Sequence, residues 1–456
     1  MRLIDAAKWS LPVGLLWLCL GGPVSAAETE AMPVSGTALG WQQAIRTAVD
    51  KQPFVKAAEH EALETQAVTK QIESANYPQI TGIYANSAGN TRVLANLGIS
   101  GSLPKPTNYL TTPGVRADFL ITDFGQTAHR ILSQKSVAAA AEKTVLTAKA
   151  VTILNVQQAY LNCLKQQRLV EVTQEVMKER DLIRQQTEVF YRRQLRSKLD
   201  LDFASVEFNR AEVAWIKAKN DLTLAFAALN TAMGLRSQAI YILESSTPVP
   251  AADAEPEALL RSAMEQRPEL LGSRDRVQAA EEALKSAKAR RFGSVNAIGT
   301  LGYTWWGREE QPSGKEVDNP GAQLGWYGLG ATSSFPLYTG GRIEGQIDEA
   351  DARRGEVQAS TRAIANDIVL QVTQAYLSRL TAEQQIKVAE EKVAFAREAL
   401  TLARERYKAG LGSILDVTTA TTDLLSAEVQ LTDAQYEYRA SDAALAFATG
   451  AEYGRY

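Results

Sequence analysis

A chain of 456 residues with a formal net charge of −3 and a hydrophobic content of 45% can bury a sizeable core. Its charge is too small, and of the wrong sign, to hold a nucleic acid through its phosphates. With two cysteines and two histidines in all, it has few residues for a disulfide framework or an imidazole metal centre.

Residues 1–26 read as a secretory signal peptide: Arg2 and Lys8, an apolar run from Leu11 to Leu20, then small residues at Val24, Ser25 and Ala26. Leu18 stands before Cys19 where a lipoprotein signal carries a small residue, which argues against a lipid anchor. Cleavage removes Arg2, Lys8 and Asp5, so the charge moves from −3 to −4. Cys163 then has no partner in the chain. No later stretch of about 18 apolar residues follows, so the mature chain is either soluble or crosses a membrane as strands.

The rest of the chain is a duplication. Residues 119–234 align without a gap on 335–450 at an offset of 216, with 27 identities in 116 positions. Phe119 falls on Phe335, Gly125 on Gly341, Gln158-Ala159-Tyr160-Leu161 on Gln374-Ala375-Tyr376-Leu377, Ser197 on Ser413, Asp200 on Asp416 and Gly234 on Gly450. Pro53 and Pro268 continue the match upstream at an offset of 215. A unit of this size is a whole module used twice, not a solenoid repeat. The first module spans 27–234, a linker 235–256, the second module 257–450 and a tail 451–456.

Within each module the period of the pattern changes. Short helices are expected near 41–50 and 257–266. Strands of period two follow at about 79–87 and 114–123, and in the copy at about 296–306 and 326–337. Val115, Ala117, Phe119 and Ile121 share one side of a strand against Arg116, Asp118 and Thr122; the copy sets Tyr327, Leu329, Ala331, Ser333, Phe335 and Leu337 against Gly328, Gly330, Thr332 and Ser334. From Gln126 to about 190, and from Arg342 to about 406, apolar residues recur at helical spacing with no proline, which predicts two helices of about 65 residues, each roughly 100 Å long. Antiparallel return helices are expected at about 199–233 and 415–449, with alanine at packing positions (Ala204, Ala211, Ala218; Ala420, Ala427, Ala434). The linker carries one small strand at Ala239–Leu243, placed as part of a belt around the helical body.

Half-apolar strands of about ten residues with Trp and Tyr near their ends suit either a membrane barrel or a soluble sandwich. Four strands cannot close a barrel, so the membrane reading requires several chains to share one. The links 88–113 and 307–325, rich in Gly, Pro, Asn and charge, then become extracellular loops.

Three motifs carry a resemblance: Phe335-Pro-Leu-Tyr-Thr-Gly-Gly-Arg342 at the second strand-to-helix junction, Tyr407-Lys-Ala-Gly-Leu-Gly-Ser-Ile-Leu-Asp416 at the second helical turn, and Ala443-Ala-Leu-Ala-Phe-Ala-Thr-Gly450 at the end. In this order, duplicated at this spacing, the chain resembles the TolC-like outer-membrane efflux family over nearly all of its mature length. The resemblance implies a mixed fold, all-α plus membrane β: a homotrimer whose barrel of about 12 strands sits in outer-membrane lipid and continues as a periplasmic α-helical barrel. It further implies a passive duct, with no cofactor, that docks a periplasmic adaptor protein and an inner-membrane pump (RND, ABC or similar) for efflux or type I secretion.

Gly125, Gly340 and Gly341 are expected to swing the backbone from strand to helix, and Pro336 to end the ladder. Ser197-x-x-Asp200 and Ser413-x-x-Asp416 read as helix N-caps. By resemblance Asp416 belongs to an acidic ring at the periplasmic entrance, and Tyr407 and Asp200 help hold that entrance shut, through an expected bond from the Tyr407 hydroxyl to Asp200. The ring's second aspartate falls on Thr419 and the lock's arginine on Gly412, so the entrance is expected to be less acidic and more weakly latched. The adaptor contact maps on Leu195, Arg196 and Ser197 and on Ala409, Gly410 and Leu411; a solvated turn is the plain alternative. No nucleotide loop or catalytic constellation is present, and His60 and His129 are read as isolated and solvated. A periplasmic coiled-coil adaptor or structural protein is the competing reading. It needs one hairpin and one β-domain, not two of each.

Overall fold

The computed structural model describes residues 36–89, 108–244, 255–308 and 322–451. The expected signal peptide, most of both expected loops and all but the first residue of the C-terminal tail lie outside the described residues. Eight α-helices are described: α1 (Trp41–Lys51), α2 (Pro53–Glu73), α3 (Gln126–Arg192), α4 (Lys198–Ala232), α5 (Pro256–Gln266), α6 (Pro268–Ala289), α7 (Arg342–Lys408) and α8 (Ile414–Thr449). Six strands accompany them: β1 (Ala38–Leu39), β2 (Gln79–Gly89), β3 (Asn108–Thr122), β4 (Ile242–Leu243), β5 (Ser294–Arg308) and β6 (Ala322–Ser334).

Both long helices, α3 and α7, have 67 residues. Each is launched by a glycine in the left-handed region, Gly125 at φ 94° and Gly341 at φ 83°, which turns the chain out of the sheet. β6 stops at Ser334, so Phe335 and Leu337 lie beyond the ladder, not on its apolar side as expected. Pro336 is the reason: it has no N–H to donate.

Two helices, α2 and α6, occupy spans in which the pattern of the sequence predicts no element. Each starts on a proline, Pro53 or Pro268, in the first helical turn, where a missing N–H costs nothing. They complete an array of four columns. α3 and α7 are single columns; α4 continued by α2 makes the third, and α8 continued by α6 the fourth. The side-by-side order is α4/α2, α3, α8/α6, α7.

The joints of the composite columns are built alike. Gln52, at the start of α2, donates from Nε2 to the last carbonyls of α4, Thr231 at 3.3 Å and Ala232 at 3.0 Å. A Cβ on Gly234 would lie 2.8 Å from the Lys51 carbonyl oxygen. At the equivalent place Arg267, at the start of α6, lies over the Phe447 ring near the end of α8 and donates to Gln371 of α7 at 2.6 Å. The C-terminus of one helix thus meets the N-terminus of the next, which aligns their dipoles head to tail.

A belt crosses the middle of the array. β1 pairs in parallel with β4, joining the start of the chain to the linker. The Tyr160 hydroxyl of α3 shares its one proton between the carbonyls of Leu39 (2.9 Å) and Glu244 (3.0 Å), and Trp41 of α1 meets its ring edge-on at 5.3 Å. Burial pushes the Tyr160 phenol up to about 12, so it stays a neutral donor.

Above the helices stands one antiparallel sheet in the order β2-β3-β5-β6, in which β3 pairs with β5 and so joins the two modules. Register places Ile80, Tyr84, Val115, Phe119, Leu301, Tyr303, Trp305, Tyr327 and Leu329 on one face, all exposed. The opposite face carries Thr81, the Arg116–Asp118 pair, Thr300, Thr304 and Thr332. In a single chain β2 and β6 are open edges.

Candidate functional site: the turns of the helical hairpins

Each long helix ends in the same C-cap. The N–H of Leu195 reaches the Phe190 carbonyl at 2.9 Å and that of Gln194 reaches Tyr191 at 2.8 Å; Leu411 reaches Arg406 at 2.8 Å and Gly410 reaches Tyr407 at 3.1 Å. This double bond requires a left-handed residue, Gln194 at φ 58° in one module and Gly410 at φ 77° in the other. The return helices then start on capping boxes. Ser197 Oγ accepts from the Asp200 N–H at 3.2 Å while Asp200 Oδ2 accepts from the Ser197 N–H at 3.2 Å; Ser413 and Asp416 do the same at 3.2 and 2.9 Å. The backbone bond from Ser413 is the main reason the Asp416 carboxyl sits below its ordinary value.

Exposure separates the candidates. Leu195, Ser197, Ala409, Gly410, Leu411, Asp416 and Thr419 are exposed; Arg196, Asp200 and Gly412 are half-buried and Tyr407 is buried. Asp416 and Thr419 are three residues apart on α8 and share a face.

The structure does not bring Tyr407 to Asp200. The Tyr407 hydroxyl is buried and unpartnered among the described residues, and the Asp200 carboxylate is taken by Ser197. Tyr407 is instead met by Arg196, whose guanidinium lies 4.5 Å from the ring centroid and donates to the Tyr407 carbonyl at 3.2 Å. Arg196 is the counterpart, at the repeat offset, of Gly412. An arginine of the first turn thus stands against the second turn, where its own counterpart is glycine. Gly412 has little room for a side chain, since its Cβ would lie 3.2 Å from the Tyr407 nitrogen.

A second arginine was not among the expected site residues. Arg180 of α3 is buried, pairs with Glu207 of α4 at 3.1 Å, and donates to the Thr418 carbonyl (3.2 Å) and the Thr422 hydroxyl (3.0 Å) of α8. It thereby ties three columns together. Burial pulls its pKa below the ordinary arginine value, an effect the Glu207 charge opposes. Its signal is present in the sequence: Val172, Val176 and Arg180 follow at spacings of four along one helix face, so a charge interrupts an apolar stripe. Arg404 of α7 also meets Glu179 of α3. Beneath these lies an apolar cluster of Leu400, Tyr407, Ile414, Val417 and Ala420.

His129 departs from expectation. It is not isolated: Nδ1 lies 2.7 Å from Glu282 Oε2 of α6, and Lys285 binds the same carboxylate. The partner is 153 residues away in sequence, so spacing could not show it. Among the described residues no group of three or more His, Cys, Asp or Glu is placed to hold a metal ion, and no helix is long and apolar enough to cross a membrane.

Comparison with known proteins agrees with this architecture. The chain is 24% identical to the outer membrane efflux protein BepC of Brucella suis over 404 residues, covering 85% of this chain and 79% of that one. It is 24% identical to the outer membrane protein TolC of Vibrio cholerae over 292 residues, 63% of this chain and 64% of the relative. The solved outer-membrane channel OprN superposes with a TM-score of 0.75 at 17% identity, covering 91% of this chain and 90% of that one. The outer membrane efflux protein family matches residues 44–235 and 259–451, one match per module. The chain belongs to the outer membrane efflux protein family and is an outer-membrane exit duct that extends into the periplasm.

Proposed function

We propose that three chains assemble into one continuous conduit, and that this conduit is passive. The observation that carries the reading is that a single chain has unfinished edges at both levels. Its sheet has an exposed apolar face and open edges at β2 and β6. Its helical array ends in α4 on one side, with Leu199, Phe203, Val206 and Val213 exposed, and in α7 on the other, with Leu377, Val388, Phe395 and Leu402 exposed. Joining β6 to β2 of the next copy closes a barrel of about 12 strands with its apolar face to lipid, and the same rotation packs α7 against the neighbouring α4.

In that assembly the turns face the periplasm. Asp416 of three chains forms an acidic ring, with Thr419 beside it in place of further charge; the ring favours cations near the entrance. Tyr407, clasped by Arg196 and spaced by Gly412, holds the second hairpin against the first, while Asp200 acts as the cap of α4. The exposed tips at Leu195, Ser197, Ala409, Gly410 and Leu411 receive the periplasmic adaptor, with Arg196 beside them, and the adaptor couples the duct to an inner-membrane pump of an efflux or type I secretion system. The reading assigns no catalytic step and no cofactor to this chain.

The test is assembly and topology together. Light scattering of the detergent-solubilised protein should give three chains per particle, and cysteines placed at β2 and β6 should cross-link between chains. A monomeric particle, or labelling at position 410 by an impermeant reagent from outside intact cells, would defeat the reading.

A further inference from the structure

The polar face of the sheet is mostly short side chains, and along β6 it includes Gly328 and Gly330. Register also places Ile83, Ile298, Leu324 and Trp306 on this face, and Trp326 among them. Of the described side chains on this face, which do not include that of Trp306, Trp326 is the only aromatic one. Register pairs Trp326 with Gly302 of β5, and Gly302 with Gly114 of β3. The indole lies across both glycines. A Cβ built on Gly302 would sit 2.5 Å from Cζ2 of Trp326, and one on Gly114 would sit 3.2 Å from both Cζ2 and Cη2. The indole Nε1 donates to Thr304 Oγ1 at 3.1 Å, which fixes the ring along the wall. Neither glycine has a positive φ, so backbone conformation does not require glycine here. Space does: a Cβ on Gly302 would also lie 2.7 Å from the Pro113 carbonyl oxygen and 2.9 Å from Gly114 Cα, so the indole and the β3 backbone together leave no room for it.

We infer that Trp326 sets the width of the passage at its level, and that Gly302, Gly114 and Thr304 form a recess that keeps the indole flat against the wall. The inference rests on the reading that the polar face lines the lumen. A side chain at Gly302 presses both on the ring and on the β3 backbone; the ring is the part that can swing, and swinging away from the sheet carries it into the path of the cargo. Three chains would bring three rings inward at one level, where a constriction limits flow and large solutes most.

The experiment is conductance of the purified full-length protein in planar bilayers, for wild type, Gly302→Ala, Trp326→Ala and the double variant. Gly302→Ala should lower single-channel conductance by roughly a third or more, and adding Trp326→Ala should recover part of that loss, the contact of the new Cβ with the β3 backbone remaining. Thr304→Val, which adds no bulk, should increase open-channel noise by freeing the ring, and it decides the matter if Gly302→Ala fails to assemble. A wild-type protein that forms no pore removes the lumen reading and this inference with it. A conducting wild type with unchanged Gly302→Ala, a double variant that stays low, or, where Gly302→Ala does not assemble, a silent Thr304→Val overturns the inference alone.

Discussion

Leu161 and Leu377 are the same residue at the same place in the two modules, yet Leu161 is 2% exposed and Leu377 is 53% exposed. Val172 and Val388 differ in the same sense, 1% against 67%. Near the turns the order reverses: Tyr191 is 40% exposed and its counterpart Tyr407 only 8%. For the first two pairs the cause is rank in the array, whereas Tyr407 is buried locally, by Arg196 and by the cluster of Leu400, Ile414 and Val417. α3 has a column of its own chain on both sides, and 16 of its residues are buried; α7 is an edge column of equal length with 9. The duplication thus preserved an apolar stripe whose partner is intramolecular in one copy and, on our reading, a second chain in the other.

The largest effect should come from placing a charge on each stripe. Val172→Asp buries an unpaired carboxylate inside one chain and should cost roughly 3–5 kcal/mol, seen as loss of cooperative thermal unfolding by circular dichroism. Val388→Asp should leave helical content intact and abolish the trimer. If the second variant remains trimeric on size-exclusion chromatography, the exposed face of α7 is not the seam between chains.

Arg180, whose repeat counterpart is Ala396, should show the next largest effect. Arg180→Ala leaves Glu207 with only its exposed partner Arg210 and breaks the tie to α8, for a cost of about 3 kcal/mol in chemical denaturation. Glu207→Gln in the same chain should recover part of that loss. An additive double variant would mean that the two side chains act separately.

The left-handed positions differ between copies too. The turn of the first module uses Gln194 where the second has Gly410, and Phe124 at φ 56° stands where the second has Gly340 at φ 61°. Phe124 is retained by ring contacts with Phe292 at 6.0 Å and Phe335 at 6.4 Å, whereas Gln194 is exposed and has no such compensation. Gln194→Gly should therefore stabilise by about 1 kcal/mol, and Phe124→Gly should destabilise. A loss of stability in Gln194→Gly would show that its side chain has a role the turn conceals.

The smallest expected effects concern the clasp. Arg196→Ala should weaken the hold on Tyr407 by about 0.5–1 kcal/mol and raise the open fraction of single channels. Tyr407→Phe should not destabilise and should stabilise by up to about 1 kcal/mol, because the hydroxyl it removes is buried without a partner among the described residues. A large effect of Tyr407→Phe with a silent Arg196→Ala would return the latch to the hydroxyl.

Much of this architecture is legible in the order of residues. Proline-free helical periodicity indicates α3 and α7 with their return helices, and all six alanines expected at packing positions on those returns are buried. Ser-x-x-Asp identifies both capping boxes, and positive φ at Gly125, Gly340 and Gly341 matches the expected junctions. These are local matters: periodicity, missing N–H groups and handedness act within a turn or two of chain. By contrast α2 and α6 are hard to read from their own residues, because their helical character shows as a continuation of columns whose lower halves lie some 180 residues away, as the bond from Gln52 to Ala232 shows.

Read along the chain, the residues specify a doubled module of strands and long helices, with glycines at the strand-to-helix junctions and serine caps at the helical turns. Tertiary structure alone decided which of two identical leucines is buried, that Arg196 and not Asp200 meets Tyr407, that His129 has Glu282 for a partner, and that Trp326 lies over two glycines on neighbouring strands. Each of these depends on which columns and strands stand side by side. That order is a property of packing between distant segments, and no period or spacing within a segment encodes it.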